Sequence, residues 1–285
     1  MAAVRALLRE ASAVLTDAGV ASPEHDAAAL LAHVLDVPRS RLPLVDDVGE
    51  QDAGRLAALV ARRASREPLQ HLVGTAAFRH LELAVGPGVF VPRPETELLA
   101  GWAVEAALAL QAAGTAEPVV VDLCTGSGAI AGSVAHEVPG ARVHAVELSE
   151  DAFDWASRNL AGSGVDLRQG DLADAFEDLL GHVDVVVSNP PYVPLEAWES
   201  VAPEARDHDP HLALFSGDDG LDAIRVIARR AQRLLRPGGV LGFEHADAQG
   251  ESAPEVLVQV GGWEDVRDHA DLAGRARYCT ARLAR

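Results

Sequence analysis

The segment Asn189-Pro190-Pro191-Tyr192 carries the side chains best suited to chemistry in this chain. It follows the apolar run 183–188, which predicts a buried strand ending where the segment begins. The planar nitrogen of an amide or an exocyclic amine is a poor nucleophile, because its lone pair is delocalised. The side-chain oxygen of Asn189 and the carbonyl of Pro190 could accept both N–H bonds of such a nitrogen and aim its lone pair at a methyl donor. Both oxygens are preset, since proline fixes its own φ and restricts the preceding residue.

The ring of Tyr192 supports the same interpretation. It can stack on a flat acceptor group, and its face can favour a nearby cation. The simpler alternative is a proline-rich turn after a strand, which Pro190-Pro191 alone would indicate. The ends of the neighbouring strands favour methyl transfer over the simple turn.

A glycine turn follows the first strand of the second half of the chain. Its sequence is Asp122-Leu123-Cys124-Thr125-Gly126-Ser127-Gly128. Gly126 and Gly128 would let the backbone turn tightly and approach a ligand. The full G-x-G-x-x-G spacing is missing and no lysine follows, so neither dinucleotide binding nor a phosphate-binding P-loop is favoured. By itself such a turn does not specify its ligand.

Acidic residues end the next two predicted strands. Glu147 lies about 20 residues beyond the glycines, where an acid can accept hydrogen bonds from both hydroxyls of an adenosine ribose. Asp171 can reach an adenine amino group, with Leu172 as an apolar wall. Each acid alone could be an ordinary strand-end residue. Together with Asn189 at a fourth strand end, they indicate one ligand site, because ligands bind at the carboxyl ends of such strands.

The elements that position these residues alternate between strand and helix from Pro118 onward. Strands are predicted over 119–123, 142–147, 165–169, 183–188 and 240–245. Helices are predicted over 129–137, 151–160, 221–235 and 251–260. The last two strands, 263–269 and 277–283, have no helix between them and should pair antiparallel. The pattern predicts a doubly wound α/β sheet of seven strands with a last antiparallel strand.

The first part of the chain is predicted to be a small helical domain. Ser22-Pro23-Glu24 is a helix start, Pro38 stops that helix, and a third helix runs from about Asp52 to Arg66. The cluster of Arg62, Arg63 and Arg66 would either complement the helix dipole or contact an acidic partner. We predict a helical substrate-recognition domain over 1–75, a connector with short strands over 76–97 and a methyltransferase domain over 98–285.

Composition excludes several classes of protein. The chain has 285 residues and a net charge of −19, which disfavours stable binding to nucleic-acid phosphates. All 24 basic residues are arginine, so chemistry through a lysine Schiff base is excluded. Cys124 and Cys279 lie far apart and predict neither a disulfide framework nor a metal site. No apolar run approaches a membrane span and no signal-peptide pattern is present, so a cytoplasmic protein away from membranes is expected.

These residues together resemble the class I S-adenosylmethionine-dependent methyltransferases. More closely, the chain is similar to the HemK-like peptide chain release factor glutamine methyltransferases over nearly its whole length. The tetrapeptide alone is shared with adenine-N6 DNA methyltransferases. The segments that point to the glutamine enzymes, beside the helical domain, are Arg66-Glu67-Pro68-Leu69-Gln70-His71-Leu72-Val73-Gly74 and Val91-Pro92-Arg93-Pro94-Glu95-Thr96-Glu97.

The resemblance implies S-adenosylmethionine as cofactor, S-adenosylhomocysteine as product and no metal. The implied cofactor-binding residues are Cys124, Thr125, Gly126, Ser127, Gly128, Glu147, Asp171, Leu172 and Asn189. The implied catalytic residues are Asn189, Pro190, Pro191 and Tyr192, and the substrate-binding site adds Phe90 and Arg93. Many relatives have glycine in place of Cys124, and some have an aromatic residue in place of Leu172. Both departures concern contacts to the cofactor and leave the acceptor site unchanged.

The implied substrate is the glutamine of the Gly-Gly-Gln motif in class 1 peptide chain release factors. Catalysis would then be mostly positioning, and no general base is assigned. Three alternatives stay open: glutamine methylation of a ribosomal protein, adenine-N6 methylation of nucleic acid, and a non-catalytic binding module. The acidic composition disfavours the nucleic-acid enzyme, which would need a base-flipping surface. The chain is expected to act as a monomer.

Overall fold

The computed structural model describes residues 2–285, except for the side chain of Ser200, and divides into two compact units. One unit combines the chain up to Thr75 with Val201–His208. The other combines Ala76–Ser200 with Asp209–Arg285. Each unit has a hydrophobic core of its own. In the part of the chain that is described, no helix is both long and apolar enough to span a membrane.

The first unit is mainly helical, as predicted. Its elements up to residue 75 are β1 (Ala2–Ala3), α1 (Val4–Asp17), α2 (Pro23–Leu35), β2 (Asp47–Val48), α3 (Glu50–Ala64) and α4 (Leu69–Val73). The predicted start signal at Ser22-Pro23 begins α2, with Pro23 in the first turn. This helix ends before Pro38, because Asp36 adopts the left-handed conformation with φ 51°. Leu15, Leu30 and Leu31 are fully buried between the helices.

The arginines at the end of α3 bind carboxylates of their own unit. Arg63 is buried and donates to Asp26 Oδ2 at 2.8 Å and to Glu204 Oε1 at 3.0 Å. Arg66 donates to Glu204 Oε2 at 2.8 Å, and Arg62 donates to the Glu67 carboxylate at 2.8 Å. The acidic partner considered for this cluster is therefore found within the chain. Glu204 also explains why Val201–His208 belongs to this unit although it is distant in sequence.

The second unit contains the predicted doubly wound sheet. Its strands are β3 (Thr75–Phe78), β4 (Leu81–Ala84), β5 (Val119–Leu123), β6 (Arg142–Glu147), β7 (Asp166–Gln169), β8 (Val183–Ser188), β9 (Leu235–Glu244), β10 (Trp263–Ala270) and β11 (Ala276–Leu283). Its helices are α5 (Thr96–Ala112), α6 (Ala129–Glu137), α7 (Glu150–Asn159), α9 (His211–Leu214), α10 (Asp222–Leu234) and α11 (Ser252–Val260), while α8 (Pro203–His208) lies in the first unit.

The main sheet has seven strands in the order β10-β11-β9-β8-β5-β6-β7. The five strands β9, β8, β5, β6 and β7 are parallel to one another. The last strand, β11, lies between β9 and β10 and is antiparallel to both, which confirms the predicted final pairing. Outside this sheet, β3 and β4 form a separate two-stranded sheet where strand-like pieces were predicted.

Both faces of the main sheet are buried, which explains the continuous valine runs in its strands. Successive side chains of a strand point to opposite faces. In β5, Val119, Val121 and Leu123 therefore pack in the core formed with α10 and α11, while Val120 packs in the core formed with α5 and α6. Asp184 in β8 and His144 in β6 are buried polar residues within the strands, while Glu147 and Glu244 are buried at strand ends.

Two parts of the second half differ from the prediction. Strand β9 begins at Leu235 instead of Val240, because Leu235 already pairs with Val183 before a register shift. The segment 195–214 was left without elements, but it contains a 3₁₀ turn over Leu195–Ser200 and the short helices α8 and α9. Such short polar elements have too few residues to show a helical period.

Helix α5 packs closely on β9. A Cβ atom at Gly242 would lie 2.3 Å from the ring of Trp102, so glycine is needed for this approach. Because alternate residues of a strand share a face, Glu244 at the end of β9 lies on the same side as Gly242. The packing therefore brings the start of α5, at Thr96, next to Glu244.

Candidate active site

The predicted site residues gather at one edge of the main sheet. The carboxyl ends of β7, β6, β5, β8 and β9 follow one another along this edge. Glu147 and Glu244 are the last residues of β6 and β9, and Asn189 directly follows β8. From β5 the chain runs outward through β6 to β7, and it then returns to form β8 on the other side of β5. The edge therefore has the switch point at which such sheets bind ligands.

The glycine turn after β5 is held open by its backbone conformation. Cys124, Gly126 and Gly128 have positive φ values of 63°, 57° and 84°. At Gly126, no heavy atom of the described residues lies within 4 Å of where a Cβ would sit, so the turn leaves space in front of it. At Gly128, a Cβ would lie 2.9 Å from Leu160. The first glycine thus allows a ligand to approach, and the second allows the start of α6 to pack.

The Asp122 carboxylate stabilises the glycine turn and the start of α6 through hydrogen bonds. Its Oδ2 accepts hydrogen bonds from Thr125 Oγ1 at 2.6 Å and from the Ala131 backbone N–H at 3.1 Å. Burial raises the pKa of this carboxyl to about 7, although both hydrogen bonds act to lower it. Thr125 and Ser127 are buried in the turn, while Cys124 is half-buried.

Glu147 connects the turn to the next helix. Its Oε2 accepts from the Gly126 N–H at 2.8 Å, and its Oε1 accepts from the Ser149 N–H at 2.9 Å. An ionised carboxylate has about four acceptor positions, so two positions are left for donors of a ligand. Burial raises the pKa of Glu147, and the backbone hydrogen bonds oppose this rise. A buried carboxylate with spare acceptor positions beside an open turn fits the two hydroxyls of an adenosine ribose.

Asp171 and Leu172 lie beyond β7, on the outer side of Glu147 in the sheet. Asp171 is exposed, and its Oδ1 accepts from the Ala173 N–H at 2.8 Å. Leu172 is half-buried and packs against the core under β5 and α10. Their places agree with a wall of the adenine site, and their roles stay predictions.

Asn189 is joined to Glu244 by a chain of hydrogen bonds. Asn189 Nδ2 donates to Thr96 Oγ1 at 3.1 Å, and Thr96 Oγ1 donates to Glu244 Oε2 at 2.7 Å. Tyr192 Oη donates to Glu244 Oε1 at 3.0 Å. Both carboxylate oxygens of Glu244 therefore accept hydrogen bonds, one from Thr96 and one from Tyr192. We call Asn189, Pro190 and Tyr192, with the Thr96 that binds Asn189, the acceptor side of the site. Pro190 is buried.

The titration of Tyr192 and Glu244 follows from their burial. Burial and the neighbouring Glu244 raise the pKa of Tyr192, so its hydroxyl stays protonated and acts as a donor. Burial also raises the pKa of Glu244 to about 7, while the bonds from Thr96 and Tyr192 and the charge of Arg277 act to lower it. Tyr192 is thus held by its hydroxyl, in addition to the predicted stacking role of its ring.

Phe90 and Arg93 form a pair in the segment before α5. The Arg93 guanidinium lies over the Phe90 ring, 4.9 Å from its centroid, and donates to Asp209 Oδ2 at 2.6 Å. The positive charge of Arg93 also acts on the Tyr192 hydroxyl. The structure thus brings Arg93, and Phe90 with it, to the acceptor side of the edge, where they were predicted to bind substrate.

Glu244 was missed as a site residue, and Thr96 was noted only as part of the segment from Val91 to Glu97. A signal for Glu244 exists in the sequence, since it is an acid at a predicted strand end, like Glu147. His245, the residue after Glu244, is buried and bonded to the Ala246 carbonyl and to Asp268 Oδ1, each at 2.9 Å. These bonds favour a structural role for the histidine.

Comparison with known proteins gives the class and then the family. Residues 6–74 match the model of the PrmC N-terminal domain, and residues 105–204 match the methyltransferase small domain. A solved methyltransferase from Pyrococcus furiosus shares the fold, with a TM-score of 0.52 and 20% identity over 78% of this chain and 98% of that one. Fold and site together define a class I S-adenosylmethionine-dependent methyltransferase.

The relatives then identify the family. A release factor glutamine methyltransferase of Streptomyces coelicolor is 60% identical over 96% of both chains. The chain belongs to the family of release factor glutamine methyltransferases. A further relative, from Streptomyces pristinaespiralis, is named 4-amino-L-phenylalanine/4-methylamino-L-phenylalanine methyltransferase and is 43% identical over 90% of this chain and 87% of its own length.

Replacing Glu147 by alanine is expected to weaken S-adenosylmethionine binding by one to several orders of magnitude. Two charge-assisted hydrogen bonds contribute about 1.5–3 kcal/mol each, which corresponds to such a loss. Isothermal titration calorimetry measures the affinity. Asp166→Ala is the matched control, because this acid begins β7 at the opposite end of the sheet from the site. Equal affinities of Glu147→Ala and the wild type would leave Glu147 with a structural role alone.

Replacing Asn189 by alanine is expected to leave cofactor binding largely intact and to lower kcat by about 100-fold or more, the loss that misplacement of a reacting group can cause. Radiolabel transfer gives kcat, and calorimetry gives the affinity. Asn159, the other asparagine of the chain, holds the Ala84 and Ser127 backbones, so Asn159→Ala should impair cofactor binding or stability first. Near-normal turnover of Asn189→Ala would contradict the acceptor role.

Proposed function

We propose that this chain transfers a methyl group from S-adenosylmethionine to the side-chain amide nitrogen of the glutamine in the Gly-Gly-Gln motif of class 1 release factors. The observation that carries the proposal is the hydrogen-bonded chain from Asn189 through Thr96 to Glu244, placed beside a turn anchored by Glu147. The family of the chain supports the glutamine as acceptor.

The cofactor-side residues would bind the methyl donor by its nucleoside and amino-acid ends. When bound, S-adenosylmethionine supplies an electrophilic methyl group on a positively charged sulfur. Glu147 would accept from the ribose hydroxyls, and the turn at Gly126 would allow the close approach. Asp171 and Leu172 would line the adenine position. Cys124 to Gly128 would contact the rest of the molecule through their backbone.

The acceptor-side residues would position the amide nitrogen. Asn189 Oδ1 and the Pro190 carbonyl accept its two N–H bonds, and the ring of Tyr192 lies against its plane. Holding the two reacting groups in line is the main catalytic contribution. Both carboxylate oxygens of Glu244 already accept hydrogen bonds, from Thr96 and from Tyr192. This favours release of the amide proton to solvent over its transfer to Glu244 as a base.

A second candidate acceptor is the amino group of an aromatic amine. The relative from Streptomyces pristinaespiralis carries the name of such an activity. An aromatic amine is also planar with a delocalised lone pair, so the Asn189 site suits it equally well. The match of residues 6–74 to the PrmC N-terminal domain favours the release factor. A ribosomal protein or an adenine in nucleic acid would use the same acceptor chemistry, and the charge of −19 disfavours the nucleic acid.

The helical unit would recognise the body of the protein substrate. It has its own core, and the predicted methyl-transfer residues all lie outside it. The chain would act as a monomer. The proposed substrate places the enzyme in the cytoplasm, where translation terminates.

A release factor with an intact Gly-Gly-Gln loop is expected to accept labelled methyl groups, because a mobile loop can insert one glutamine without unstacking anything. The same factor with this glutamine changed to alanine should accept none. DNA, RNA, a ribosomal protein and 4-amino-L-phenylalanine are tested at matched concentrations, and mass spectrometry locates the label. Robust labelling of one of these, with the release factor unlabelled, would reverse the assignment.

Removal of the helical unit is expected to lower kcat/KM for the whole release factor much more than for a short Gly-Gly-Gln peptide. A fragment starting at Ala76, where the second unit begins, lacks the helical part up to Thr75 but keeps the predicted methyl-transfer residues. Its affinity for S-adenosylmethionine is measured first, since Val201–His208 loses its packing partners in this fragment. Equal catalytic efficiency of fragment and full chain with the whole factor would refute the recognition role.

A further inference from the structure

The side-chain amide of Asn189 must point in one direction for the proposed reaction. Its oxygen can accept the N–H bonds of the acceptor, whereas its NH₂ group would oppose them donor to donor. The two ends of an asparagine amide have nearly the same shape, so packing alone selects poorly between them. Another group must therefore bind the Asn189 nitrogen and leave the oxygen for the substrate.

Thr96 and Glu244 have the hydrogen-bonding roles that this selection needs. An ionised carboxylate only accepts, so Thr96 directs its single hydroxyl proton to Glu244 at 2.7 Å. The Thr96 oxygen then has only lone pairs left, and it accepts from Asn189 Nδ2 at 3.1 Å. Thr96 is 4% exposed and Glu244 is 1% exposed, so water does not readily replace either partner.

We propose that Thr96 and Glu244 are positioning residues that fix the Asn189 amide with its oxygen towards the methyl acceptor. This inference rests on the proposed function, because it assigns Asn189 Oδ1 to the acceptor nitrogen. Glu244 acts on the reaction through Thr96, and it holds the Tyr192 hydroxyl with its second oxygen. One buried carboxylate thus orients two residues of the acceptor segment.

The start of α5 is fixed well enough to serve this role. Arg79 binds Glu97, the residue after Thr96, by donating from its backbone N–H to Glu97 Oε1 at 3.0 Å and from Nη1 to the Glu97 carbonyl at 3.1 Å. Further along the helix, Trp102 packs against Gly242 of β9. The contacts of Arg79 with Glu97 and of Trp102 with Gly242 therefore fix the position of Thr96 relative to Glu244.

The charge of Glu244 decides the direction of the hydrogen bonds. The groups acting on it are Thr96 at the start of α5, Tyr192 after β8, Arg277 on β11 and Glu95 before α5. Burial and Glu95 favour the neutral acid, while the other three favour the carboxylate, and the pKa lies at about 7. A protonated Glu244 could donate to Thr96, which would then donate to Asn189 and reverse its amide. Turnover should therefore fall as the pH decreases through this pKa.

Substitution of Thr96 tests the positioning role. Thr96→Val keeps the shape but removes the hydroxyl, and it should lower kcat by about 10- to 100-fold through misorientation of the acceptor. The affinity for S-adenosylmethionine and the KM for the release factor should change little. Thr96→Ser restores the hydroxyl and should recover most of the lost kcat. Thr16→Val, which removes a hydroxyl bonded to the Ser12 carbonyl within α1, is the control with the same substitution.

Substitution of Glu244 tests the charge. The wild-type kcat should decrease below a pH of about 7, and this acid limb should disappear in Glu244→Gln, whose amide does not titrate. A variant that merely lost packing would keep the limb. Wild-type turnover by Thr96→Val, an equal loss in Thr96→Ser, or an unchanged acid limb in Glu244→Gln would each overturn the inference.

The same variants separate this inference from the proposed function. If the wild type methylates 4-amino-L-phenylalanine and not the release factor, the proposed substrate is wrong. The Thr96 and Glu244 variants are then assayed with the amine, whose N–H bonds need the same Asn189 oxygen. A normal kcat of Thr96→Val with whichever acceptor the wild type uses would overturn the positioning role.

Discussion

The site depends on the cost of burying carboxylates at the edge of a parallel sheet. Asp122, Glu147 and Glu244 are all buried at or near the ends of their strands. A buried carboxylate is tolerated when hydrogen-bond donors surround it. The donors recruited here are the hydroxyls of Thr125, Thr96 and Tyr192 and the backbone N–H groups of Ala131, Gly126 and Ser149. In meeting this need, the chain fixes the glycine turn, the starts of α6, α7 and α5, and the acceptor segment.

The burial of these three carboxylates destabilises the fold, although the same carboxylates position the groups of the site. The pKa values of Asp122, Glu147 and Glu244 are all raised, with burial as the main cause. An acid whose pKa is higher in the folded state holds an extra proton there, so stability decreases as the pH rises through that pKa. Glu137 behaves in the opposite way, since its bond to Arg79 lowers its pKa. The ion pair of Glu137 with Arg79 thus stabilises the fold at a place outside the site, while the destabilising carboxylates lie within the site, as expected for a functional site.

Sequence reasoning predicted the parts of this structure that depend on local pattern. The strands 119–123, 142–147 and 183–188 were predicted to the residue, because short valine-containing segments bounded by glycine, proline and polar residues are typical of strands. The short helices between residues 195 and 214 and the early start of β9 were missed, since they depend on tertiary pairing. Thr96 and Glu244 are 148 residues apart in sequence, and a hydrogen bond between them follows only from the packing of α5 on β9.

The physical requirements of the acceptor site do not by themselves define the substrate. Asn189, Pro190 and Tyr192 suit any planar nitrogen with two N–H bonds, and relatives with this scaffold carry names for both a protein glutamine and a free aromatic amine. Selectivity must therefore come from surfaces that contact the rest of the substrate. In the proposed reaction the edge of the sheet would supply positioning, which is independent of the group to which the acceptor nitrogen is attached. The helical unit, with its separate core and its own buried ion pairs, can then change its surface without disturbing the carboxylates on which the chemistry depends.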